Sequence, residues 1–298
     1  MTAPVTVPAS ITDTRWWIDD LEFGWPRTDY TVSSFEIGDV DDRISSEPSA
    51  REDGQRFGRD YLNGRTISFQ LHALDTGYGV LDKVATFASA WRPERVRLVP
   101  GAVSALSWER GGQRRRVYGR GRRLTPSTGL DWTGNVPITC DFETSDHKFY
   151  EDAEAGVVIG FVPDGVGGFT PPLIGPLTMS GEGVGTSGIR VGGTESAWLT
   201  MRVNGPITRP TVEVTDQWSV TLDVVLADDQ WVLVDPSPWG RTVRRNDGAN
   251  LSGAFTAQSE RLSQLRVPPG THQVVLRGTD PTGTSSVSCF WRAAYASY

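Results

Sequence analysis

Seven arginines fall within residues 110–123, RGGQRRRVYGRGRR. Guanidinium groups at this density are suited to phosphates or carboxylates, because each presents a planar fork of donors that matches either oxyanion. A nucleic-acid role is disfavoured by the chain as a whole: 36 acidic against 29 basic residues give a formal net charge of −7. No ladder of aromatic residues accompanies the arginines to stack bases. The cluster therefore reads as a solvated or inter-subunit hairpin. If copies assemble into a ring, Arg114, Arg115, Arg116, Arg120, Arg122 and Arg123 face a lumen or pair with Asp39, Asp41, Asp42 and Glu47 of a neighbouring copy.

Other chemistry finds no anchor. The three histidines, His72, His147 and His272, share no zinc-ligand spacing with one another or with a cysteine, so neither metal nor cofactor is expected. GxSxG, P-loop and HExxH signatures are missing, and no enzyme is expected. Adjacent acids such as Asp19-Asp20, Asp41-Asp42 and Asp228-Asp229 could in principle flank a glycosidic bond, but between strands they read as turn residues. Eleven tryptophans raise sugar stacking. Trp16, Trp198, Trp218 and Trp291 lie in alternating runs and read as core. Trp239, in the turn SPWGR, is the candidate for an exposed glycan contact.

The elements that must carry these residues are mostly strands. Glycine (33) and proline (19) punctuate a chain rich in Val, Thr, Ile and Trp, the signature of short strands and frequent turns. Around residues 65–71, Ile67, Phe69 and Leu71 alternate with Thr66, Ser68 and Gln70, the period of a half-buried strand. Residues 11–25 read as a hairpin turning at Asp19-Asp20, with Trp16, Ile18, Leu21, Phe23 and Trp25 toward the core, and residues 31–37 as the next strand. Residues 38–58 are a polar stretch of a length uncommon in a compact domain unless it is functional, so an arm or extended hairpin reaching a partner is expected. Gly54, Gly58 and Gly64 free the backbone to turn between that stretch and the strand at 65–71. One helix is expected at residues 80–91, where Val80, Val84, Phe87 and Trp91 recur at helical spacing before Pro93. Residues 95–99, RVRLV, read as a strand, followed by strands at 105–110, 114–124 and 136–142.

Length allows two domains. The first, residues 1–155, is expected as a β-sandwich with one helix, the Gly/Pro-rich residues 156–175 as a connector, and residues 176–298 as a jelly-roll-like β-sandwich. Its strands are expected at 188–191, 197–203, 210–214, 218–226, 231–234, 243–245, 272–277 and 286–293. Cys140 and Cys289, far apart in apolar runs, read as buried reduced thiols, as in a reducing cytoplasm. No export signal and no membrane insertion are expected, since no apolar run approaches the roughly 18 residues of a span. Lysine occurs only twice, at Lys83 and Lys148, which fits a GC-rich coding genome.

Taken in order, these segments resemble a known family. The hairpin, the polar arm, GRDYLNGRTISFQL, a helix ending WRP, the arginine hairpin and CDFETSDHKFY are similar to the distal tail proteins of long-tailed siphophages, especially the minor tail proteins of actinobacterial phages. VNGPITRPTVEV, VLVDPSPWGRTVRRNDGANLSG and LRVPPGTHQVVLRG resemble the family's second domain, a galectin-like sandwich. The resemblance implies a structural virion protein at the tail tip, made in the host cytoplasm. Its first domains would form a hexameric ring between the tail tube and the tail-tip hub, around a channel through which DNA passes without specific binding. Residues 38–58 would be the belt arm of that ring. The other expectation, from a different class, is a carbohydrate-binding adhesion module contacting host cell-wall glycan through Trp239.

Overall fold

Strand β1 (Arg15–Ile18) turns through Asp19 and Asp20 into β2 (Leu21–Gly24), with Ile18 opposite Leu21 and Asp19 at φ +51°. Trp16, Ile18 and Phe23 are buried, whereas Trp25, expected inward, is exposed because the strand has already ended at Gly24. The computed structural model describes residues 14–25, 28–48, 51, 53–75, 79–162, 185–280 and 282–298. The chain divides into two units, Met1–Asp152 with Tyr295–Tyr298, and Ala153–Ala294. The second is thus inserted between the body of the first and its final four residues.

The first unit continues with β3 (Tyr30–Ile37), the arm strands β4 (Asp42–Arg43), β5 (Ser46–Pro48), β6 (Gln55–Phe57) and β7 (Tyr61–Leu62), then β8 (Thr66–Leu74). Helices α1 (Val80–Trp91) and α2 (Glu94–Arg97) precede β9 (Ser104–Arg110), β10 (Gln113–Pro126), β11 (Asn135–Thr144) and β12 (Phe149–Glu151). Seven strands form an antiparallel sheet in the order β2-β1-β9-β10-β11-β8-β3, with β12 on β10. Its two edges, β2 and β3, are separated in the chain by residues 25–29 alone, which reach at most about 20 Å. Seven flat strands would set them about 29 Å apart. The sheet must therefore curl, and Trp16 on β1 meets Phe35 on the far edge with ring centroids 5.1 Å apart.

The alternation expected around residues 65–71 is that of β8, whose Ile67, Phe69, Leu71 and Ala73 point into the core. Helix α1 closes the core with Val80, Val84, Phe87 and Trp91, the positions that its spacing predicts. Phe87 stacks on Trp91 at 5.4 Å, and Trp91 meets Phe142 of β11 at 5.9 Å. Residues 95–99 are not the strand that their sequence suggested. The Pro93 carbonyl accepts the N–H groups of Val96 and Arg97, at 3.0 Å each, and winds the segment into the single turn α2. Only Val96 of that run is buried, so no strand face exists for it to fill.

The second unit is a β-sandwich. One sheet runs β13 (Ala155–Gly160), β24 (Ser286–Trp291), β16 (Thr200–Asn204), β20 (Trp231–Asp235) and β21 (Thr242–Arg245). The other runs β14 (Gly185–Val191), β23 (Gly270–Thr279), β17 (Ile207–Val214) and β18 (Trp218–Thr221), with β19 (Val225–Leu226) also on β17. A short pair, β15 (Ala197–Trp198) and β22 (Arg266–Val267), completes it. Met201, Val203, Val234, Val287 and Cys289 of the first sheet and Ile189, Val212, Val214, Val220 and Leu276 of the second belong to one buried cluster. The unit starts at Ala153, because β13 pairs along β24 and buries Ile159. The remainder of the connector expected at 156–175 lies outside the described residues beyond 162.

Residues 218–226, expected as one strand, form two. Arg209 adopts φ +50° where the β17–β23 register shifts, and its N–H bonds the Val224 carbonyl at 2.8 Å. The run bends between β18 and β19 as a result. The protein is mainly β, and no helix among the described residues is long and apolar enough to cross a membrane. Both cysteines are buried free thiols in separate units, and burial pushes the Cys289 thiol up to about 12.

Candidate assembly site: the arm and the arginine hairpin

The polar segment after β3 is an extended two-stranded ribbon. Its lower step pairs β4 with β7 (Asp42 opposite Leu62, Arg43 opposite Tyr61), and its upper step pairs β5 with β6 (Ser46 opposite Phe57, Pro48 opposite Gln55). The Asn63 N–H to the Asp41 carbonyl (2.9 Å) and the Gly58 N–H to the Ser45 carbonyl (2.7 Å) tie the limbs together. The arm is thus longer than residues 38–58, because its returning limb runs on to Leu62 before it rejoins the sheet.

The glycines expected to free this arm occupy three different places. Gly54, at φ +121°, precedes β6 with nothing near its missing side chain. Gly58 lies inside the ribbon, where a β-carbon would stand 2.0 Å from the Ser45 carbonyl oxygen. Gly64 is at the root, where a β-carbon would stand 1.9 Å from the Thr144 carbonyl oxygen. The outgoing limb is fixed there too, by the Gly38 N–H on the Thr66 carbonyl at 2.9 Å. Arg65 locks the junction: its guanidinium lies 4.4 Å over the Phe149 ring and donates to the His147 carbonyl at 2.7 Å.

The arm's surface is not that of an ordinary solvated loop. Ile44 is 69% exposed and Phe57 73%, with Tyr61 and Leu62 also exposed. Arg43 and Arg59 flank the Tyr61 ring at 5.4 and 5.2 Å. Asp39 caps the Val40 N–H at 2.8 Å, while Asp41, Asp42 and Glu47 are exposed and form no ion pair among the described residues. A two-stranded ribbon is marginal by itself in water, and this one holds large apolar groups away from any core.

The arginine cluster, contiguous in sequence, is dispersed in space, because successive residues of β10 face opposite sides of the sheet. Arg114 pairs with Asp152 at 3.0 Å and lies 4.3 Å over Trp17. Arg116 donates through Nε to Asp152 at 2.7 Å. Arg115 covers the Tyr295 ring at 3.7 Å. Arg120 is spent on the Ala102 and Val99 carbonyls at 2.8 and 2.9 Å, and Arg122 on Glu143. Among the six, Arg123 alone is exposed without a hydrogen bond or ion pair among the described residues.

A basic pocket of about 280 Å³ was not legible in the sequence. Arg92 and Arg97, from the ends of α1 and α2, meet Arg120 and Arg122 there beside Trp91. Trp239, expected to be exposed, is half-buried in a loop closed by Ser237 Oγ donating to Asp235 at 2.7 Å and by the Gly240 N–H on Ser237 Oγ at 3.2 Å. The most exposed tryptophan is Trp132, at 78%. His72 bonds Asn135 at 2.9 Å and His272 the Pro268 carbonyl at 2.9 Å, each inside its own unit.

No family model matches the chain, and no curated protein matches it. Solved structures do. SPP1 Dit (gp 19.1), described as a paradigm of the hub adsorption apparatus in phages infecting Gram-positive bacteria, superposes with a TM-score of 0.59 at 11% identity, covering 94% of this chain and 98% of that one. A chain of the phage P2 baseplate in its activated conformation with calcium gives a TM-score of 0.55 at 12% identity, covering 93% and 97%. The strontium form of that baseplate gives the same values. The likeness is one of fold, and it extends through both units.

Proposed function

We propose that this chain is a distal tail protein of a long-tailed phage, a non-enzymatic subunit whose copies close into a ring joining the tail tube to the tail-tip hub or baseplate. The observation that carries this reading is the match to SPP1 Dit along nearly the full length of both chains, since a shared β-sandwich alone would account for one unit and not for two in succession. The arm supplies the physical reason for assembly. A marginal ribbon that exposes Ile44, Phe57, Tyr61 and Leu62 gains stability when it lies on another copy.

Six copies form the ring, its lumen passes DNA without specific contacts, and the protein resides in the virion tail tip. The net charge of −7 suits a channel that must not retain DNA. The second unit serves as an outer galectin-like sandwich, and the use of arginine over lysine suits a phage of actinobacteria. Electron microscopy of the purified chain tests this reading. Rings with an open centre are expected, and particles of single-chain size at every concentration would contradict it.

A further inference from the structure

We infer that the basic pocket at the end of α1 is the seat for the arm of a neighbouring copy, an inference that rests on the ring reading above and adds to it the surface that receives the arm. The pocket holds more positive charge than the chain neutralises. Arg120 spends its donors on neutral carbonyls and keeps its charge, Arg122 has Glu143, and Arg97 has Glu94 at 3.8 Å. The Arg92 guanidinium has no hydrogen bond or ion pair among the described residues. Four guanidinium groups thus face two carboxylates.

The pocket wall is Trp91, which is fully buried, and Gly121, which packs on it so closely that a β-carbon there would stand 2.0 Å from the Trp91 carbonyl oxygen. The rim is apolar, with Leu98 and Val99 both exposed beside Arg97.

The arm has the complementary surface. Residues 39–60 hold seven acids against four arginines, and among them Asp41, Asp42 and Glu47 lack an ion pair within the chain, next to exposed Ile44 and Leu62. Acid on basic and apolar on apolar fix both register and partner. Because the two patches differ, the contact repeats head to tail from copy to copy, the kind of contact from which the proposed ring is built. The occupant is therefore the arm of a second copy, with Asp41 and Asp42 in the pocket and Ile44 on Leu98.

Sedimentation velocity on four full-length chains tests this: wild type, Arg92→Glu/Arg97→Glu, Asp41→Arg/Asp42→Arg, and the combined quadruple variant, each checked for an unchanged circular-dichroism spectrum. All four positions are exposed, so folding is not at stake. Each double variant is expected to weaken assembly at least tenfold, and the quadruple variant to recover it, because the reversed charges meet in trans. Unchanged assembly of Arg92→Glu/Arg97→Glu, beside a wild type that assembles, would overturn the pocket while leaving the ring. Failure of the quadruple variant to recover would overturn it too. A wild type that never assembles would fail the ring reading itself.

Discussion

Gly64 stands against Thr144 so closely that no other residue type fits: a β-carbon on Gly64 would lie 1.9 Å from the Thr144 carbonyl oxygen. The neighbouring Arg65 N–H and Thr144 Oγ1 close the same junction at 2.8 Å. Gly64→Ala forces backbone apart at the arm's root and is expected to cost about 1–3 kcal/mol. At roughly 2–4 °C per kcal/mol for a unit of this size, the melting temperature falls measurably in a thermal scan. An unchanged melt would show that the close approach does not bear on stability.

Asp152 joins two arginines of β10, accepting from Arg116 at 2.7 Å and Arg114 at 3.0 Å. Its side chain is 16% exposed and that of Arg116 is 21%, so solvent screens this pair less than the Arg122–Glu143 pair, where both exceed half exposure. Asp152→Ala leaves the half-buried Arg116 guanidinium without its carboxylate and is expected to cost about 1–3 kcal/mol. Glu143→Ala, at an exposed pair, is expected to cost about 1 kcal/mol or less. Denaturant melts of the two variants check the order, and equal losses would contradict it.

Asp280 gives the second unit a pH dependence. Burial alone would push its carboxyl up. Hydrogen bonds from Thr282 Oγ1 (2.6 Å), the Thr282 N–H (2.8 Å) and the Ser285 N–H (2.8 Å) outweigh burial and hold the carboxyl well below the ordinary carboxylate range. A depressed native pKa means that the ionised group stabilises the fold above about pH 4, and that this contribution is lost as pH falls through the native value. Asp280→Asn places an N–H where the Ser285 N–H needs an acceptor. It should lower stability at neutral pH by about 1–2 kcal/mol, with the gap to wild type narrowing as the pH falls below about 4. A gap that stays constant down to about pH 2 would contradict this.

The sequence carried most of the local structure. Ile67, Phe69 and Leu71 announced β8, and Val80, Val84, Phe87 and Trp91 announced α1, because one-sided burial imposes a period that survives in the residue order. What escaped depends on contacts distant in sequence. The bend between β18 and β19 comes from Arg209 on β17, and α2 from the carbonyl of Pro93. The arginine cluster marked charge but not its partners: Asp152, Glu143 and the Ala102 carbonyl come to those side chains only through the fold. Arg92 and Arg97 carry no signal in sequence, since their meeting with Arg120 requires α1 to end over β10. The arm was legible as a long polar stretch, but its return through Tyr61 and Leu62 was not, because it depends on their pairing with Arg43 and Asp42 across the ribbon.

Assembly through the arm is tested most directly by light scattering on wild type and Gly58→Val, measured side by side over a range of concentrations. A β-carbon at Gly58 would stand 2.0 Å from the Ser45 carbonyl oxygen, inside the ribbon and away from the core of the first unit. The expected result is a wild type of about six chain masses and a Gly58→Val variant that keeps the circular-dichroism spectrum of wild type yet stays a single chain. A Gly58→Val chain that assembles as wild type does, or one that is unfolded, would contradict the role given to the arm.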